Sequence, residues 1–230
     1  MDILLASNNA HKRGEIQGIF RDLGVPHSIV QPKDVGFSFD VVEDGTSFGE
    51  NATIKAHALY WLLRGVAVAG VTVDPEPERV AQAARARWGS TFPPVLADDS
   101  GICVHALGNE PGIRSARFGN TEDAPPLTDA QRNRLLLDTL SDRGDRGAHY
   151  VCNAAVILEE ERFVQAQESW YGVITTEERA GNTGFGYDPI FLVPEYDATV
   201  AQIPQETKDR ISHRAKAIGR IARALAWVGA

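Results

Sequence analysis

The sequence predicts an α/β fold, a mixed sheet covered by helices, on three observations. Short aliphatic runs alternate with stretches of helical periodicity from one end of the chain to the other. The first of these pairs forms a strand, loop, helix unit. The chain has 230 residues, 43% of them hydrophobic, enough for the core of one large α/β domain or of two lobes with a cleft. Strands and helices mixed along the whole length favour one covered sheet over separate domains.

Asp2 to Ala6 reads as a strand, and after a polar loop Ile16, Ile19, Phe20 and Leu23 recur at helical spacing before Gly24. A second helix is predicted from about Ser47 to Arg64, with Phe48, Ala52, Ala56, Leu59, Leu62 and Leu63 on its inner side, followed by strand-like Gly65 to Val73. Residues Asp74 to Pro94 interrupt this order. Pro75, Pro77, Pro93 and Pro94 enclose Glu78 to Trp88, which reads as a short surface helix between proline-rich joints. Next comes an apolar run that ends in Asp98, Asp99, Ser100 and Gly101, and then a strand from Ile102 to Leu107. Thr128 to Leu140 is helical, with Leu136, Leu137 and Leu140 apolar. Ala148 to Leu158 is a buried strand, and Phe163 to Thr175 alternates well enough to pair beside it. Ser212 to Val228 closes the chain as a helix with Ala215, Ile218, Ala222 and Leu225 on one face. There is no internal repeat and no low-complexity tract.

Composition narrows the function classes. A net charge of −8 argues against a broad nucleic-acid footprint, which needs a basic face. No unbroken apolar segment is long enough to cross a bilayer, and the start of the chain lacks the basic region of a secretory signal. Cys103 and Cys152 are far apart in apolar runs, so neither a disulfide framework nor a cysteine metal site is signalled. A cytoplasmic location follows as the expectation. Lysine is confined to Lys12, Lys33, Lys55, Lys208 and Lys216, and three of these fall in the segments below.

Leu96-Ala97-Asp98-Asp99-Ser100-Gly101 places two carboxylates where a strand is expected to end. Such carboxylates can hold Mg²⁺, which takes oxygen ligands and borrows part of its shell from phosphates; a turn accounts for the same residues. Ser7-Asn8-Asn9-Ala10-His11-Lys12 lies between the first strand and its helix, where amides and an ammonium can receive phosphate, or where Ser7 or Asn9 only caps the helix. It lacks the glycines of a P-loop. In Thr46 to Ala56, Glu50 and Lys55 stand about one and a half turns apart. Ser47 and Glu50 have the spacing of a capping box, which leaves Lys55 unexplained. Gly184-Phe185-Gly186-Tyr187-Asp188-Pro189 can present aromatics for stacking and a carboxylate for a base N–H, or be a turn that buries Phe185. Lys208, Ser212, His213 and Arg214 open the last helix, a pattern that a solvated helix start also explains.

Taken together and in order, SNNAHK, TSFGENATIKA, ADDSG, PGIRSARF, GFGYDPIF and ISHRAKA resemble the inosine triphosphate pyrophosphatase family, from Ser7 to about Leu225. The resemblance implies an elongated α/β fold of two lobes with a central substrate cleft, one nucleotide pyrophosphatase domain over the whole chain, and a homodimer. It implies hydrolysis of ITP, dITP or XTP to the monophosphate and pyrophosphate, with Mg²⁺ as cofactor. By motif, Ser7, Asn8, Asn9, Ala10, His11 and Lys12 would hold the triphosphate, Glu50 and Asp99 the metal, and Asp99 would also activate water. Ser100 would touch the substrate, Lys55 and Lys208 would meet phosphate oxygens, and Phe185, Gly186, Tyr187, Asp188, His213 and Arg214 would form the base pocket. Arg117 matches the pattern of PGIRSARF, and Asp98 is left as support. The long Asp74 to Pro94 stretch and Asn8, where many relatives have Gly, depart from the family pattern. A related pyrophosphatase for other modified nucleotides, or a nucleotide sensor without hydrolysis, are the alternatives.

Overall fold

The structure is a computed structural model and describes residues 1–227. Nine strands and six α-helices are described: β1 (Asp2–Leu5), α1 (Ala10–Asp22), β2 (Ser28–Val30), β3 (Ser38–Val41), α2 (Phe48–Leu62), β4 (Val71–Asp74), α3 (Pro77–Trp88), β5 (Val95–Val104), α4 (Asp129–Thr139), β6 (Gly147–Glu159), β7 (Arg162–Ile174), β8 (Phe191–Val193), β9 (Ala198–Thr199), α5 (Gln205–Ile211) and α6 (His213–Trp227). Seven strands form one sheet in the order β2-β1-β5-β6-β7-β8-β9. β1 is parallel to both β2 and β5, whereas β8 is antiparallel to β7 and β9. β3 and β4 make a separate antiparallel pair. This is the mixed α/β class that the alternation of periods predicts.

The chain divides into two compact units. The first comprises Met1–Asp99, Asn153–Gln167 and the chain from Arg214; the second comprises Ser100–Cys152 and Glu168–His213. The first has a core of Leu4, Phe39, Leu59, Leu62, Val80, Val95 and Ile157, against which Trp61, Trp88 and Phe92 pack. Helix α3 is therefore built into that core through Val80 and Ala84. The second unit has its own core, which includes Ile102, Leu136, Tyr150, Trp170, Tyr187, Phe191 and Ile203.

Several boundaries differ from those read in the sequence. The run from Gly65 to Val73 is extended only from Val71, because Gly65 and Gly70 adopt left-handed angles (φ 78 and 72) that close the end of α2 and turn the chain. β5 does not end at the carboxylates. It runs through Asp98, Asp99, Ser100 and Gly101 to Val104, with every residue but Ser100 buried. A carboxylate can lie inside a buried strand when a cation meets it, and the turn reading fails for that reason. His105–Leu107 then forms one 3-10 turn rather than more strand. Lys208 lies in α5, a separate short helix, and Ser212 joins it to α6. The expected end of the last helix at Val228 lies outside the described residues.

Candidate active site

In the first unit the loop after β1 is held from several sides. Ser7 Oγ accepts from the Asn9 amide at 3.2 Å, and Asn9 Oδ1 accepts from the amides of His11 at 2.8 Å and Lys12 at 3.2 Å. Asn9 thus caps α1, and its oxygen occupies amides that would otherwise face an incoming anion. The buried Gln31 Nε2 donates to the carbonyls of Ser7 at 2.7 Å and Asn9 at 3.2 Å, while Asn8 Nδ2 donates to Phe39 O at 2.8 Å. Ala10 and His11 are exposed. Lys12 carries the charge of this segment, and its Nζ lies 3.1 Å from Asp98 Oδ2.

Successive strand residues point to opposite faces, which separates the two carboxylates of β5. Asp98, 1% exposed, meets Lys12 of α1 and Arg214 of α6, whose Nε and Nη2 both lie 3.2 Å from Oδ2. Arg214 Nη1 also pairs with Glu15 of α1. Burial works against the Asp98 anion, but Lys12, Arg214 and Lys55 outweigh it and hold its carboxyl well below the usual carboxylate range.

Asp99 faces α2. Its Oδ1 accepts from Lys55 Nζ at 3.0 Å and its Oδ2 from Asn51 Nδ2 at 3.3 Å. Lys55 also meets Glu43 Oε2 at 3.1 Å. Burial opposes the Lys55 charge, yet Asp99, Glu43 and Asp98 raise its pKa overall, so the ammonium persists across the neutral range. Glu50 is exposed in the first turn of α2, where Ser47 Oγ caps the helix by accepting from the Glu50 amide at 3.1 Å. The Glu50 carboxylate reaches back to Thr46, accepting from its amide at 2.6 Å and its hydroxyl at 2.8 Å. Those bonds, the hydroxyl foremost, hold Glu50 below its ordinary pKa.

The second unit assembles the GFGYDP segment around Asp188. This buried carboxylate accepts from the Phe185 amide at 2.9 Å and Lys208 Nζ at 2.8 Å on Oδ2, and from the Tyr150 hydroxyl at 3.1 Å on Oδ1. Gly184 has φ +90, and a Cβ there would fall 2.5 Å from Asp188 Oδ2, so glycine is required. Gly186 is clasped by α4: its amide donates to Asp129 Oδ2 at 2.8 Å and its carbonyl accepts from Asn133 Nδ2 at 3.1 Å. Phe185 is half-buried, with Lys208 Nζ 5.0 Å from its ring centroid. Tyr187, not Phe185, is the core aromatic of the segment. Its hydroxyl donates to Ser115 O at 2.8 Å, and burial pushes its phenol pKa up. His213 is buried and stacks on Tyr150 with centroids 4.7 Å apart and planes 6° from parallel. Ser100 is half-buried on β5, and Arg117 is exposed at the end of a 3-10 segment over Gly112–Arg117.

The sequence singled out these segments but not several residues that organise them. Glu15 and Tyr150 sit in stretches whose only signal is periodicity, Gln31 and Glu43 lie between the elements the sequence predicts, and Asn51 is one unremarked residue of the TSFGENATIKA motif. Chemically, the first unit offers ion-paired ammoniums and two hard carboxylates suited to phosphate and a hard cation. The second offers a half-buried aromatic ring beside buried donors, suited to a planar heterocycle. Among the described residues no group of three or more His, Cys, Asp or Glu could hold a metal alone, and no helix is long and apolar enough to cross a membrane.

Comparison with known proteins matches residues 3–224 to a model of the Ham1 family. A dITP/XTP pyrophosphatase from Treponema denticola is 40% identical over 223 residues, covering 97% of each chain. One from Leptospira interrogans is 38% identical over 226 residues, covering 97% of this chain and 96% of the relative. A solved HAM1 protein from Coxiella burnetii is similar with a TM-score of 0.72 and 33% identity, covering 98% of each chain.

Proposed function

The chain belongs to the Ham1 family, and on that premise we propose that it hydrolyses the non-standard purine nucleoside triphosphates ITP, dITP and XTP to monophosphate and pyrophosphate. The observation that carries this reading is the Asp99–Lys55–Glu43 array beside the Asp98–Lys12 pair. It supplies fixed charges of both signs, which phosphoryl chemistry needs in an otherwise acidic protein. The relatives named dITP/XTP pyrophosphatase support the substrate class.

Glu50 and Asp99 are the residues that would hold Mg²⁺. Their donor set fits, because both present carboxylate oxygens and Mg²⁺ uses few protein ligands when phosphates and water complete its shell. When bound, this ion supplies neutralisation of the charge that gathers on the pyrophosphate leaving group. Lys12 and Lys55 take further phosphate oxygens, each leaving a carboxylate partner to do so. The attacking water gives its proton to an Asp99 oxygen as its own oxygen bonds to phosphorus, and the phosphoanhydride bond to pyrophosphate breaks. Asp98 is placed as the buried anchor that keeps Lys12 and Arg214 in position.

Base choice is assigned to the second unit. Phe185 stacks on the purine; Lys208, expected from the motif to meet phosphate oxygens, has its Nζ 5.0 Å from the Phe185 ring centroid and is assigned instead to the 6-position, with His213 as the second donor. Hypoxanthine and xanthine carry a carbonyl there with N1–H, whereas adenine carries an amino group and a bare N1. Donors set for O6 would stay unpaired with ATP, a mismatch worth orders of magnitude. We further propose one functional domain over the whole chain, a homodimer and a cytoplasmic location.

Turnover of ITP, dITP, XTP, GTP and ATP by the purified protein with Mg²⁺ tests the proposal. ITP, dITP and XTP are expected to exceed ATP in kcat/KM by at least about a hundredfold. Equal turnover of all five, or tight ITP binding without Mg²⁺-dependent turnover, would remove it, the latter in favour of a nucleotide sensor.

A further inference from the structure

Tyr150 lies on β6 inside the core of the second unit, 7% exposed, with its ring 4.6 Å from Phe191. Phenylalanine would serve that packing as well, and a buried hydroxyl costs stability unless it finds an acceptor. The acceptor here is Asp188 Oδ1, at 3.1 Å. The other oxygen of the same carboxylate takes the Phe185 amide and the Lys208 ammonium. With one oxygen held by Tyr150 and the other by two donors, the carboxylate plane cannot turn. Both the backbone of Phe185 and the tip of Lys208 are referred to that plane. The opposite aspect of Tyr150 is its ring, parallel to the His213 imidazole within 6°.

One side chain therefore touches two of the groups on which base recognition rests, Asp188 through its hydroxyl and His213 through its face. The geometry points to Tyr150 as a positioning residue for base recognition, acting through Asp188 on Phe185 and Lys208 and through its ring on His213. This rests on the reading that Phe185, Lys208 and His213 meet the purine. Asp188 and His213, the groups that Tyr150 meets, both belong to base recognition, so its influence falls on binding of the base and not on the chemical step.

Steady-state kinetics of Tyr150→Phe, which keeps the stacked ring and removes the bond to Asp188, test the assignment. A hydrogen bond to a charged group is worth about tenfold or more in binding, so KM for ITP is expected to rise about tenfold with kcat within about twofold. Inhibition by IMP should weaken by a similar factor while inhibition by pyrophosphate, which has no base, stays unchanged. Tyr150→Ala, which also frees His213, should raise KM further and narrow the preference for ITP over ATP. Two results overturn the assignment: KM and IMP inhibition equal to wild type in Tyr150→Phe, or kcat falling with the folded fraction at constant KM. A wild-type protein that releases no pyrophosphate from any triphosphate would instead overturn the proposed function and this inference with it.

Discussion

Lys55 Nζ lies 3.0 Å from Asp99 Oδ1, an ion pair in which both side chains are about nine-tenths shielded from solvent. Asn51 holds the other Asp99 oxygen, so the carboxylate is fixed at both ends by residues of one helix. A carboxylate so oriented can take a proton along a set direction, and the lysine that orients it can also turn to a phosphate.

Replacing Asp99 by Asn keeps the shape and the Asn51 contact but removes the base. Turnover of ITP is expected to fall by at least about a hundredfold, measured as pyrophosphate release, with circular dichroism unchanged. Near-normal turnover would take Asp99 out of the reaction.

Asp98→Asn is expected to act on stability. It leaves Arg214 and Lys12 without their shared counter-charge, and breaking a buried pair in this way costs about 3–5 kcal/mol. The pH dependence has a definite sign. Because Lys12, Arg214 and Lys55 hold the folded-state Asp98 carboxyl well below the usual carboxylate range despite its burial, its contribution is complete at neutral pH and is lost as pH falls below about 4, the unfolded value. Urea titrations should show the gap between wild type and Asp98→Asn widest at neutral pH and narrowing in acid. A gap independent of pH would contradict the buried anion.

Chelation of divalent ions is expected to abolish turnover reversibly. Glu50→Gln should raise the Mg²⁺ concentration for half-maximal rate by at least about tenfold, since losing even an outer partner of a metal site costs 10- to 100-fold, about the range to expect here. Thr46 holds the Glu50 carboxyl below its ordinary pKa, so Glu50 stays ionised for this role at neutral pH. A Glu50→Gln protein with wild-type Mg²⁺ dependence would free Glu50 of this role.

Gly184→Ala places a methyl 2.5 Å from Asp188 Oδ2 at a left-handed backbone position. The loop must shift, and KM for ITP should rise with little change in the melting temperature. Unchanged kinetics would show that the loop does not set base binding.

The order of strands and helices was legible because burial writes a period into the chain, as in α1 and β6. The carboxylates of ADDSG read locally as a strand end, since Asp and Gly break strands when nothing compensates them. Lys12, Lys55 and Arg214 compensate them here from residues 44 to 116 positions away, beyond what local pattern can show. The same distance hid the bond from Tyr150 to Asp188, 38 residues on, and the Glu15–Arg214 pair. Glu50 illustrates the reverse. Its capping-box spacing with Ser47 is plain, but its carboxylate accepts instead from the Thr46 amide and hydroxyl and stays exposed at the helix start, where a cation can still reach it.

Identification of the products formed from ITP and Mg²⁺ decides whether the bond broken is the one to pyrophosphate. IMP and pyrophosphate are expected in equal amounts, with no IDP at any time. Release of IDP and orthophosphate would contradict that cleavage.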